Sequence, residues 1–168
     1  MPRLVAGAGW ALGLALASRA LAADPPEQAP LAPRTSESGA PLDAVQRAME
    51  LPHLTLALRV DPARQTIAGR ADYSVRAAAP LDKLEFDLDP RLQVTKVTLG
   101  GQPLPADRWS SKAGLVSIAL SAPLAKGAAV QVGISYAGKP RIAPKAPWDG
   151  GFVWSKADDG EPWIAAAV

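Results

Sequence analysis

The chain has 168 residues, with 18 Lys and Arg against 16 Asp and Glu and a formal net charge of +2. That length holds one domain with tails, and 48% hydrophobic residues are enough for a core. Seventeen prolines and fourteen glycines favour turns and short strands over long helices, and the absence of cysteine excludes a disulfide framework, a thiolate metal site and a lipid-bearing cysteine.

Residues 1–22 read as an export signal. Arg3 supplies a positive start, Leu4–Ala17 is an apolar run too short for a comfortable membrane span, and Ala20-Leu21-Ala22 fits a small-x-small cleavage site. The competing reading is a buried N-terminal helix. Pro- and Glu-rich sequence follows at once, which favours the signal. Its removal would take away Arg3 and Arg19 and leave 16 basic residues against 16 acidic ones. A balanced chain without a basic block gives no electrostatic footing for nucleic acid, and no membrane association is expected once the signal is gone. The expected location is the periplasm or the medium.

Residues 23–50 read as a linker with a short helix. Ala23–Pro41 is rich in proline and small polar residues and cannot bury enough surface to offset the entropy of ordering. In Leu42–Leu51, the residues Leu42, Val45, Ala48 and Met49 lie near helical spacing.

The domain is expected over residues 51–168, where the apolar period becomes two. Leu54, Leu56, Leu58 and Val60 alternate with Thr55, Ala57 and Arg59, which predicts a strand with one buried face. Asp61-Pro62-Ala63-Arg64-Gln65 is a turn, with Asp61 placed to bond the backbone ahead of it. Ile67, Gly69, Ala71, Tyr73 and Val75 share one face of the next strand. Leu84, Phe86 and Leu88 alternate with Lys83, Glu85 and Asp87; the two acids read as a solvated strand face rather than a catalytic pair. Leu92 and Val94, then Val97 and Leu99, break step at Thr95-Lys96, the mark of a bulge. Gly100-Gly101 predicts a two-residue hairpin turn, and Trp109 stands alone as a cap on the core. Leu115–Leu120 and Ala129–Ala137 complete the pattern. About seven or eight strands with at most one short helix predict an all-β antiparallel sandwich or curved, saddle-like sheet.

Pro147–Val168 holds Trp148, Trp154 and Trp163 and reads as a tight hairpin. Phe152–Lys156 and Trp163–Ala167 are its arms, and Asp158-Asp159-Gly160 is its turn. Trp148, Phe152, Trp154 and Trp163 are therefore the candidate interface or cleft-wall residues. Phe152 and Trp154 alternate on one arm and Trp163 comes from the other, so one face is expected to carry much of the aromatic surface.

The motifs PWDGGFVWS and EPWIA, in order after LTLALRVDPARQTIAGRADYSV and LEFDLDPRLQVTKVTLGG, resemble the N-terminal β domain of aminopeptidase N-like zinc metallopeptidases, peptidase family M1. The resemblance covers about Leu51–Val168. It implies a non-catalytic domain that buttresses a catalytic domain of the same parent chain and walls the cleft for a peptide substrate. It also implies that the residue gripping the substrate's free amino terminus comes just after Val168. The family's zinc would lie in that missing catalytic domain. Its site needs a helical His-Glu-x-x-His, and His53 is the one histidine here. No cofactor or catalytic residue is expected in this chain. The alternative is a free-standing exported β-sandwich whose Trp-rich hairpin binds a sugar or peptide.

Overall fold

The computed structural model describes residues 41–146, 148 and 150–167. The expected signal at 1–22 and the Pro-rich linker at 23–40 lie outside the described residues. No helix among the described residues is long and apolar enough to cross a membrane.

The described chain is almost entirely antiparallel β. Helix α1 (Ala44–Arg47) is one turn, capped by the Asp43 carboxylate, which accepts from Gln46 N at 2.9 Å. It is shorter than the expected Leu42–Leu51 because the chain passes at Met49 into β1 (Met49–Asp61). Nine strands follow: β2 (Thr66–Ala77), β3 (Leu81–Asp87), β4 (Leu92–Leu99), β5 (Gln102–Pro103), β6 (Trp109–Lys112), β7 (Leu115–Leu124), β8 (Ala129–Gly138), β9 (Gly151–Lys156) and β10 (Pro162–Ala167). Ten strands exceed the expected number because β5 and β6 are too short to show a period. A five-stranded sheet in the order β1-β2-β8-β4-β5 is overlaid by a three-stranded sheet in the order β3-β7-β6, and β9-β10 forms a separate ribbon.

Register explains which side chains meet. Val75, Tyr73 and Ala71 of β2 stand opposite Val130, Val132 and Ile134 of β8. Val97 of β4 stands opposite Ile134. Leu84 and Phe86 of β3 stand opposite Ile118 and Val116 of β7. These two inner faces close on each other, and Leu84, Ile118, Val75, Val97, Val116 and Val132 lose nearly all exposure. Tyr73 reaches across, its ring centroid 4.6 Å from that of Phe86. Trp109 packs against this core as expected of a cap.

Three register shifts keep the apolar residues on the inner side, one of them between Leu81 and Lys83 of β3, where both Leu81 and Leu84 are buried. In β4 the register slips between Val94 and Lys96, where the sequence breaks step. In β1 it slips between Glu50 and His53, at Leu51-Pro52. Proline has no N–H for a ladder bond and suits that irregular position on an edge strand. The slip puts odd-numbered Met49 and even-numbered Leu54 on the same face, opposite Ala77 and Tyr73. Turn chemistry also follows the sequence: Asp61 Oδ1 accepts from Arg64 N at 3.0 Å, and Gly100 and Gly101 take φ of 57° and 81°.

Two expectations need correction. The β1 row Leu54, Leu56, Leu58, Val60 faces the core side but is exposed, because the three-stranded sheet does not extend over it. The face carrying Lys83, Glu85 and Asp87 is not simply solvated. Glu85 is buried and bonds Lys83 Nζ at 2.7 Å, and Asp87 accepts from Gln46 of α1 at 2.9 Å.

Candidate functional site

The β9–β10 ribbon has the expected arms and turn. Gly160 at φ 87° closes the turn, Asp159 Oδ1 accepts from Glu161 N at 3.1 Å, and Gly160 N donates to Ala157 O at 2.9 Å. The ribbon is tied back to the chain before it. Phe152 N donates to Arg141 O at 2.7 Å and Ala143 N donates to Phe152 O at 3.0 Å. Ile142 and Phe152 form a parallel bridge.

The aromatic residues do not share one face. Phe152 and Trp154 stack with centroids 5.4 Å apart and planes 19° off parallel. Their cross-strand partners are Ala166 and Ile164. Trp163 stands opposite Ser155, one residue out of step, and so faces the other side of the ribbon. Trp163 is 53% exposed and Trp148, in the loop before β9, is 80% exposed. Strand alternation alone could not show this, because the pairing register depends on the length of the loop between Lys156 and Pro162.

A neighbour that sequence reasoning missed is the β1–β2 turn. Pro62, Ala63 and Gln65 border a groove of about 390 Å³ whose other wall includes Trp154, Lys156 and Ile164. The Trp154 Nε1 atom is buried without a hydrogen-bond partner among the described residues. No local sequence signal brings residues 62–65 against residues 154–164.

The arrangement supplies apolar surface beside a buried indole N–H. Among the described residues, no group of three or more His, Cys, Asp or Glu is placed to hold a metal ion. His53 is exposed on β1, with Nε2 3.1 Å from Thr55 Oγ1. The described residues therefore do not fit a zinc ion, and no chemical step runs through one here.

The sheets and the ribbon together define an antiparallel β domain with a Trp-bearing hairpin, similar in fold to part of the M1 zinc metallopeptidases. An M1 zinc metallopeptidase from Deinococcus radiodurans shares 27% identity at a TM-score of 0.54, over 67% of this chain and 27% of that chain. A mutant of an M1 zinc metallopeptidase from the same organism, bound to a Tyr-Ser-Ala substrate, shares 27% identity at a TM-score of 0.53, over 69% and 28%. A two-domain M1 zinc metallopeptidase bound to L-arginine shares 25% identity at a TM-score of 0.54, again over 69% and 28%. This chain therefore spans little more than a quarter of the structures that it matches. No family model and no curated protein matches the sequence.

Proposed function

We propose that this chain is the N-terminal, non-catalytic domain of an exported zinc-dependent aminopeptidase. The domain buttresses the catalytic domain of the same parent chain, and its hairpin walls the cleft that receives the amino-terminal end of a peptide. The zinc and its ligands lie in that catalytic domain. The observation that carries the reading is the fold likeness to M1 zinc metallopeptidases, which includes about two thirds of this chain and about a quarter of theirs. The ordered motifs ending in GGFVWS and PWIA support it independently. Export to the periplasm or medium rests on Arg3, the Leu4–Ala17 run and Ala20-Leu21-Ala22.

The test is the protein encoded by the complete reading frame. It is expected to release N-terminal residues from peptides, to lose that activity to a chelator and to regain it with zinc. Its exported form is expected to start near Ala23 by mass spectrometry. A reading frame without a His-Glu-x-x-His helix, coupled with sugar or peptide binding at Trp148 and Trp163, would transfer support to the binding-module alternative.

A further inference from the structure

The chain has two methionines, Met1 and Met49, and no cysteine, so Met49 holds the sole sulfur atom among the described residues. That sulfur sits where three elements meet. Met49 follows α1, opens β1 and belongs to the core cluster with Leu84 and Phe86 of β3. Its Sδ accepts a hydrogen bond from Glu85 N of β3 at 3.3 Å. Strand β3 is an edge of the three-stranded sheet, and the thioether caps one of its N–H groups. Helix α1 itself has no buried residue. Its ties to β3 are the exposed bond from Gln46 Nε2 to Asp87 Oδ2 at 2.9 Å and, two residues beyond its end, the buried Met49–Glu85 contact.

Met49 is 9% exposed, yet it lines a cavity of about 240 Å³ beneath α1. Leu42 and Leu51, also in its wall, are 52% and 48% exposed. A water-sized molecule takes about 30 Å³, so the cavity has room for a peroxide beside the sulfur.

We propose that Met49 is an oxidation site and that its sulfoxide releases α1 from β3, with a peroxide as the oxidant. A lone pair on Sδ attacks one peroxide oxygen. The S–O bond forms as the O–O bond breaks, and with hydrogen peroxide the second oxygen leaves as water. Sulfur loses two electrons and the peroxide gains them. The product does not suit the present contact. An N–H···O bond alone spans about 2.7–3.2 Å, so an oxygen cannot enter the 3.3 Å between Sδ and Glu85 N. Turned into the cavity instead, the oxygen leaves a partly positive sulfur facing the Glu85 N–H, which loses its acceptor. In both orientations the clasp between α1 and β3 opens. Reduction of the sulfoxide restores it. The proposal does not depend on the peptidase reading.

The test uses the protein from the complete reading frame, treated with hydrogen peroxide and mapped by peptide mass spectrometry. One added oxygen is expected at Met49. Arg47 of α1 is exposed and reports the release. Trypsin cleavage after Arg47 is expected to rise about tenfold, because cleavage follows the population of the opened segment. Cleavage after Arg70, inside β2, should not change. A methionine sulfoxide reductase should reverse both the added oxygen and the cleavage. Met49→Leu keeps an apolar side chain of similar size and should show no response to peroxide. Met49 left unoxidised under conditions that oxidise it in the unfolded chain would overturn the proposal. So would Met49 sulfoxide with unchanged cleavage after Arg47, or an equal rise in the Met49→Leu protein. Equal rises after Arg47 and Arg70 would mean general unfolding and would overturn it too.

Discussion

Gly138 shows how little room a single position leaves. It is the meeting point of three strands, paired with Ile67 of β2 and with Leu92 of β4. A Cβ added there would come within 2.3 Å of the Arg91 carbonyl oxygen, a backbone atom that cannot swing aside. Gly138→Ala is therefore expected to cost about 1–3 kcal/mol, the range for forced overpacking, through separation of β4 from β8. Its midpoint in urea would fall. Gly127→Ala meets nothing within 4 Å and carries only the strain of its φ of 82°, so it should cost less. Equal midpoints for the Gly138 variant and the parent protein would show that the β4–β8 junction yields more easily than its geometry implies.

At the scale of elements, identical aliphatic chemistry has two values. Ile118 of β7 is wholly buried between Leu84 of β3 and Trp109 of β6 in register. Ile118→Ala removes that burial and leaves a cavity, at an expected cost of about 2–5 kcal/mol. Leu58→Ala on the uncovered part of β1 removes a half-exposed side chain. Within this domain it should change stability by about 0.5 kcal/mol or less. Denaturant titration of the two variants measures the contrast. Both residues obey the same period of two, so alternation could identify a core-side face without showing how far the opposing sheet extends.

For the whole molecule, stability should decline at alkaline pH. Burial raises the Tyr73 pKa above its ordinary value of 10.0, and Tyr136 adds to the shift. Burial likewise raises Tyr136. The hydrogen bond to Glu85, followed by Coulomb attraction to it, raises Lys83 from its ordinary 10.5. In each case the folded state holds its proton more tightly than the unfolded chain. The stabilisation is fully present below the unfolded values and is lost as pH rises through the folded ones. The expected result is a falling unfolding midpoint above pH of about 10. Tyrosinate absorbance should also appear at higher pH in the folded protein than in urea. Because the chain has two tyrosines, the signal reports these two sites alone. Coincident titrations in the two states would contradict the burial of both phenols.

Local chemistry made much of the fold legible. The Asp61 turn, the Gly100-Gly101 turn, the Thr95-Lys96 bulge and the faces of β2 and β8 depend on backbone preferences and on alternation, which neighbouring residues determine. The hairpin arms and its turn were legible for the same reason. Long-range placement was not. The exposure of Leu54–Val60 depends on where the three-stranded sheet stops. The separation of Trp163 from Phe152 and Trp154 depends on cross-strand register. Burial of Glu85 depends on α1 folding back over β3, and the groove beside Trp154 on a turn about ninety residues earlier in the chain. The sequence by itself determined which residues prefer strands, turns and an apolar face, because those preferences act over a few bonds. Only tertiary structure decided which apolar face is covered and which is left open, because cover comes from residues far away along the chain.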